Sequence, residues 1–457
     1  MIDIEYMNEL KSMLGNEWVS NGQSIRELHS HDESFHTHVM PDVVIWPHTT
    51  EQVSKVVKWA NVRNIPVTAW GVGTSLEGNP IPVRRGISID FQEMNKILAI
   101  RREDFQVDVQ PGVVYKEMNK VLGHHGLFFP PDPGAAATIG GMIGNNASGI
   151  RTVKYGATKD YIMRLTVVLP DGQIIHAGNR ARKSSSGYNL CSLFVGSEGT
   201  LGIVTEATLR LVGLPSNFMA VRAVFPTVLD ATNTVFSVMC SGLVPSAMEF
   251  LDEKVIGILN LDRGVSLQEK PTLLMEFNGF GETGLKEEMG YVEEICLENG
   301  CIFLDKGIGA SERARLWEMR HLTLESIKRY HAGLLPLIMD VAVPLSRYSE
   351  IVAFAKEEVK NLTAYVFGHA GDGNVHVVVM GNPEDIEKWA LIEKASKNIV
   401  LKAIEFEGTC TGEHGVGIGK RRFLPIEHGE GLTLMKRIKT LFDPNNIMNP
   451  EKFFLED

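Results

Sequence analysis

Gly71-Val72-Gly73-Thr74-Ser75-Leu76-Glu77-Gly78-Asn79 follows an apolar run, Pro66–Trp70, that reads as a strand. Asp90 lies roughly 20 residues further on, so the stretch comes close to a dinucleotide-binding fingerprint. Two features decide against that fold. Leu76 stands where the third glycine would be, and Gly78-Asn79-Pro80 leads toward another strand rather than a helix. Without a helix N-terminus a pyrophosphate has no dipole to sit on. What remains is a run of backbone N–H groups with the hydroxyls of Thr74 and Ser75, which can cradle a diphosphate as an anion nest.

Two more loops of the same character follow. Pro131–Gly149 (PDPGAAATIGGMIGNNASG) is nearly free of large side chains, as expected where another object approaches the backbone closely. Gly196-Ser197-Glu198-Gly199-Thr200-Leu201-Gly202-Ile203-Val204-Thr205 opens directly onto a β-branched strand. A flexible linker is the alternative for either loop, but linkers seldom sit between well-formed strand and helix patterns. Three such loops in order suggest one large, flat, phosphate-bearing ligand.

A chain of 457 residues exceeds one ordinary core, which predicts two domains. Strand, helix and strand patterns alternate from Pro41 to about Leu211 and start afresh after Leu214-Pro215-Ser216. The second pattern runs through strands at 219–225, 247–251, 272–277 and 337–343 and helices at 228–240, 285–298, 312–320 and 347–359. The formal charge of −11 argues against nucleic acid or an anionic membrane as the main partner. No apolar run approaches the ~20 residues that span a bilayer. The acidic start Met1-Ile2-Asp3-Ile4-Glu5 lacks a signal-peptide core. Five scattered cysteines without a Cys-x-x-Cys pair suit a reducing cytoplasm and count against an iron–sulfur cluster held by this chain. The histidines of the early loop (His29, His31, His36, His38) read as solvated or surface-packed, with metal binding as the alternative.

The remaining chemistry lies near the C-terminal end. His369-Ala370-Gly371-Asp372-Gly373-Asn374-Val375-His376 reads as a hairpin, with Thr363–Gly368 running out and Asn374–Met380 running back. His369 then pairs with Asn374, and because strand side chains alternate, His376 falls on the face of His369. Two imidazoles on one face and a nearby carboxylate make a site for a divalent metal with an open position. Gly412-Glu413-His414-Gly415 supplies that carboxylate, Glu413, and a neighbouring base, His414. Taken alone, the two histidines read more readily as satisfied polar residues at a strand turn, and the rest of the chain shifts the balance toward a metal site.

Together with Pro41-Asp42-Val43-Val44, the two later loops resemble the vanillyl-alcohol-oxidase-type flavoproteins. Within them the chain is similar to the group of cytochrome-type D-lactate dehydrogenases, glycolate oxidase catalytic subunits and D-2-hydroxyglutarate dehydrogenases, from about Asp32 to Phe453. The resemblance implies an α+β fold: a two-subdomain FAD-binding domain of the VAO/PCMH type over 1–216, and an α+β cap domain with an antiparallel sheet over 217–423. A C-terminal segment, 424–457, would return to the FAD domain. FAD would be held by Gly71, Gly73, Thr74, Ser75, Leu76, Gly78 and Asn79; by Pro131, Thr138, Gly140, Gly141, Gly144, Asn145, Ala147, Ser148 and Gly149; and by Glu198, Gly199, Gly202, Ile203, Val204 and Asn449. Some relatives attach FAD to a histidine of the first loop; none is present here, so FAD is expected without a covalent bond.

The same resemblance assigns His369, His376 and Glu413 to a divalent metal (Zn, Mn or Fe), His414 to the base, and Arg320 to the substrate carboxylate. It implies oxidation of a small D-2-hydroxy acid, D-lactate or glycolate foremost, to the 2-oxo acid by hydride transfer to flavin N5. Val378 stands two places after the second histidine, where some 2-hydroxyglutarate enzymes have asparagine, which counts against a dicarboxylate. The alternatives are D-2-hydroxyglutarate dehydrogenase, another flavin-dependent alcohol oxidoreductase, or a flavin-binding electron-relay subunit. Electrons would leave to a quinone, a cytochrome, an electron-transfer flavoprotein or an iron–sulfur subunit. The protein is expected in the cytoplasm, or peripheral to a membrane through such a partner, with a homodimer as one assembly.

Overall fold

The computed structural model describes residues 2–454, which divide into two compact units. The first comprises 2–148, 157–214 and 413–454; the second comprises 149–156 and 215–412. This division departs from the expected 1–216, 217–423 and 424–457 in two places. The return to the first unit begins at Glu413, and the short segment Gly149–Gly156 belongs with the second unit. There Ile150 packs against the second unit's core, and Lys154 Nζ donates to Asn278 Oδ1 at 2.6 Å.

The first unit carries two larger sheets. In the four-stranded one, Val43–Ile45 and Val67–Trp70 flank Ile87–Asp90 in parallel, with Val19–Ser20 antiparallel at the edge. The helix Thr50–Val62 makes the crossover. Thr49 caps it by accepting from Gln52 N, and Val53, Val56, Val57 and Ala60 recur at helical spacing on its buried side. Met7, Leu10 and Leu14 of the helix Ile4–Leu14 close the same core. The five-stranded sheet is antiparallel, in the order Ile97–Arg101, Gln106–Val109, Ile203–Arg210, Ile162–Val168, Ile174–Gly178. Its central strand starts where the third glycine-rich loop ends.

The second unit is built on a seven-stranded antiparallel sheet. Its order is Phe303–Ile308, Asn217–Val224, Thr272–Gly279, Ala247–Leu251, Ala364–His369, Asn374–Gly381, Leu335–Ala342. Alternate residues Ala247 and Leu251, Tyr365 and Phe367, Val378 and Met380 join Leu316, Trp317, Ile256 and Leu259 in one core. These last four come from the helices Glu253–Arg263 and Ala310–Tyr330, which cover that face.

Two helices depart from the sequence reading. Glu253–Arg263 was not anticipated, although Asp252 is a cap signal, its carboxylate accepting from Val255 N. The stretch Ile139–Asn145, expected as loop, is a short helix capped by Thr138. Gly140, Gly141 and Gly144 weaken it by propensity, and backbone hydrogen bonds to other segments hold it: Gly140 N to Pro111 O, Gly196 N to Ile143 O and Glu198 N to Gly144 O, all 2.8–2.9 Å.

Candidate active site

Within the second unit the histidine motif is a hairpin. Ala364–His369 and Asn374–Gly381 pair in antiparallel register through Phe367↔His376, so His369, Phe367 and His376 share a face as alternation requires. The two imidazoles are buried, with ring centroids 5.1 Å apart and planes perpendicular. The flanking strands add a carboxylate on each side: Glu249 pairs with His369, and Asp340 with His376. Two acids and two histidines thus lie across four adjacent strands, at the edge of a face that is otherwise apolar core.

Both acids are fully buried. Glu249 Oε1 lies 2.6 Å from His369 Nδ1. A carboxylate so placed can only accept, which puts the imidazole proton on Nδ1 and leaves Nε2 as a lone-pair donor. Glu249 Oε2 accepts from Arg320 Nε at 2.5 Å. Burial pushes the Glu249 carboxyl up, but His369 and Arg320 beside it outweigh burial and hold it below the usual carboxylate range. Arg320 sits mid-way along the 21-residue helix Ala310–Tyr330, longer than the expected 312–320, with a largely buried side chain whose guanidinium carbon lies 5.1 Å from the Phe367 ring centre. On the other side, Asp340 Oδ1 is 3.7 Å from His376 Nδ1. Asp340 also accepts from Asn374 Nδ2 (2.7 Å), Thr411 Oγ1 (2.9 Å) and Gly412 N (2.7 Å). A Cβ on Gly412 would lie 2.1 Å from Asn374 Nδ2 and 2.9 Å from Asp340 Oδ1, so only glycine passes this point.

Glu249 and Asp340 were missed at the level of sequence. The available signal was a single acid in an otherwise apolar strand, Ala247–Leu251 or Leu335–Ala342, since a lone carboxylate is seldom buried without a partner.

In the first unit the three glycine-rich loops interlock. Asn449, buried and at φ 39°, donates from Nδ2 to Asn79 O (3.1 Å) of the first loop and to Glu198 O (2.7 Å) of the third. Glu198 N bonds Gly144 O of the second. The Glu198 carboxylate accepts from Val416 N (2.5 Å) and Gly417 N (3.0 Å), while burial pushes its pKa up. This brings the segment after Gly412 into the loop cluster. Asn145 Nδ2 donates to His414 O at 3.2 Å, and a Cβ on Gly415, at φ 84°, would lie 2.8 Å from both Asn79 Nδ2 and Glu198 Oε1. The backbone of His414–Gly417 is therefore held by Asn145 and Glu198 and packed close to Asn79, three residues expected to hold FAD. Asn449 Oδ1 is buried with no hydrogen-bond partner, an acceptor left over at the junction of the loops and suited to a ligand donor. Of the expected cofactor residues, only Gly149 falls in the second unit. The side chains of Glu413 and His414 are neighbours, His414 Nε2 lying 3.9 Å from Glu413 Oε1.

Comparison with known proteins decides the family. Residues 41–178 match the FAD binding domain family, and residues 214–453 match the C-terminal domain of FAD linked oxidases. The chain belongs to the FAD-linked oxidases. It is an oxidoreductase with FAD as cofactor. It is 38% identical over 452 residues to a protein from Danio rerio named probable D-lactate dehydrogenase, mitochondrial, covering 98% of this chain and 91% of the relative. It is 35% identical to glycolate oxidase subunit GlcD of Bacillus subtilis, covering 100% of this chain and 98% of that one. In fold this FAD-linked oxidase resembles 4-ethylphenol oxidase from Gulosibacter chungangensis, with a TM-score of 0.80 at 15% identity over 98% and 96% of the two chains. Among the described residues no helix is long and apolar enough to cross a membrane.

Proposed function

We propose that this FAD-linked oxidase oxidises a short D-2-hydroxy acid, D-lactate or glycolate, to the 2-oxo acid. The observation that carries the reading is the pairing, in one unit, of the buried His369 with the largely buried Arg320 through a single carboxylate, with the second buried imidazole, His376, 5.1 Å from the first. Metal donors and a carboxylate receptor side by side suit a substrate that carries a hydroxyl and a carboxylate on neighbouring carbons.

His369 and His376 would hold a divalent cation (Zn, Mn or Fe). Glu413, one peptide bond beyond the Gly412 that Asp340 anchors, would be the third ligand. Such a cation lowers the pKa of a coordinated hydroxyl as a Lewis acid. FAD, held without a covalent bond by the loop residues named above, supplies the two-electron acceptor. Arg320 would hold the substrate carboxylate. His414, its backbone fixed by Asn145, would take the hydroxyl proton.

Phe367, Tyr365 and Val378, apolar members of the core beside His376, favour a short substrate chain over one with a second carboxylate. The relatives' names favour the same two acids. The Danio rerio relative is named as a mitochondrial protein, which argues against the cytoplasmic expectation. Electrons would pass on to a quinone, a cytochrome, an electron-transfer flavoprotein or an iron–sulfur subunit.

The test is anaerobic titration of the purified flavoprotein with D-lactate, L-lactate, glycolate and D-2-hydroxyglutarate, followed by flavin bleaching. Rapid bleaching by D-lactate or glycolate is expected. Bleaching by D-2-hydroxyglutarate alone, or by none of the four, would overturn the assignment.

A further inference from the structure

Glu249 joins a metal-donor histidine, His369, to the arginine, Arg320, through one carboxylate. It sits in the middle of the strand Ala247–Leu251, with no solvent exposure, between Ala247 and Leu251 on the apolar face. Each carboxylate oxygen serves a different element: Oε1 meets His369 Nδ1 across the strand pair Glu249↔His369, and Oε2 takes the Nε proton of Arg320 from the covering helix.

Both contacts restrict chemistry rather than add it. Holding the proton on Nδ1 aims the Nε2 lone pair of His369 away from Glu249, the arrangement by which a carboxylate orients a ligating imidazole. Engaging Nε removes the side-on edge of the guanidinium from use. A substrate carboxylate is then left with the end-on pair, Nη1 and Nη2, while the Phe367 ring 5.1 Å away limits rotation of the guanidinium.

We propose that Glu249 is a positioning residue that sets His369 for the cation and Arg320 for the substrate carboxylate together, so that binding at one is coupled to binding at the other. The proposal rests on the metal and carboxylate roles given above. It goes beyond them in predicting that one remote substitution weakens both.

The experiment uses the FAD-loaded, metal-depleted full chain and two ligands: Mn²⁺, titrated with free metal read by electron paramagnetic resonance, and pyruvate, titrated by perturbation of the flavin spectrum. Glu249→Gln keeps the shape and removes the charge. Glu276→Gln is the control, a buried acid of the adjoining strand bonded to Arg313 and Ser246. For Glu249→Gln, Mn²⁺ affinity should fall about 10–100-fold, with weaker pyruvate binding and with Mn²⁺ tightening it less than in wild type. Glu276→Gln should lower thermal stability while leaving both affinities near wild type.

A folded Glu249→Gln protein with both affinities within about threefold of wild type would overturn the positioning role, since an ordered ligand partner is worth more than that. Wild type that binds neither Mn²⁺ nor pyruvate would overturn the underlying site instead. If Glu249→Gln does not fold, nitrogen-15 spectra of histidine-labelled, metal-free wild type decide: His369 as the Nδ1–H tautomer supports the proposal, and the Nε2–H tautomer overturns it.

Discussion

Asp340 offers the sharpest test of how the second unit is held together. Its buried carboxylate accepts from Asn374 Nδ2, Thr411 Oγ1 and Gly412 N, and it has no solvent exposure. Asp340→Ala leaves these three donors without that acceptor. Asn374 Nδ2 keeps Val341 O at 3.2 Å, and Thr411 and Gly412 are not fully buried, so the loss should be about 2–4 kcal/mol rather than the full cost of three buried unsatisfied groups. A unit of this size loses about 2–4 °C of Tm per kcal/mol, so a fall of about 5–15 °C is expected by scanning calorimetry. Asp340→Asn should be milder. Its oxygen can keep Thr411 and Gly412, and a flip of Asn374 would turn that residue's otherwise unpartnered Oδ1 toward the new amide, at the expense of the 3.2 Å bond to Val341 O. That exchange, with charge-assisted bonds made neutral, should cost about 1–3 kcal/mol. Both variants should keep FAD, because every expected cofactor residue except Gly149 lies in the other unit. An alanine variant melting within about 3 °C of wild type would refute the reasoning, since it would mean the three bonds contribute less than one ordinary hydrogen bond each.

Three further outcomes are expected. His414→Ala should lower turnover about 10²–10⁴-fold with flavin still bound, and turnover near wild type would remove His414 from the base role. Gly415→Ala places a methyl against Asn79 and Glu198 at a left-handed φ, so the purified protein should carry less FAD per chain; an unchanged flavin-to-protein ratio would show that this crossing is loose. Burial pushes the Asp252 carboxyl up to about 6 from 3.8, so the folded state takes up a proton before the unfolded chain does. The contribution of Asp252 to stability is then lost as pH rises through about 6, and the Tm advantage of wild type over Asp252→Asn should grow from pH 7 to pH 5. A difference in Tm independent of pH would contradict it.

Much of the architecture was readable because its signals are local. Helical spacing located Thr50–Val62 and Val228–Cys240, and short apolar runs located Ala247–Leu251 and the strands of the histidine hairpin. The helix Ile139–Asn145 was not readable, because its glycines oppose the helix and hydrogen bonds from distant segments hold it. Nor was the boundary at Glu413: nothing in the composition around Gly412 marks a change of unit, and the change follows from what each side bonds to, Asp340 before it and Asn145 and Glu198 after it.

By itself the chain's order of residues determined that His369 and His376 share a face and that Gly71–Asn79 cannot end in a phosphate-binding helix. Both follow from geometry that repeats within a few residues. Only tertiary structure decided that Glu249 stands beside His369, 120 residues later, with Arg320 on its other oxygen. Strand neighbours of that kind are chosen by packing a whole sheet at once, and no local period encodes which distant strand will lie alongside.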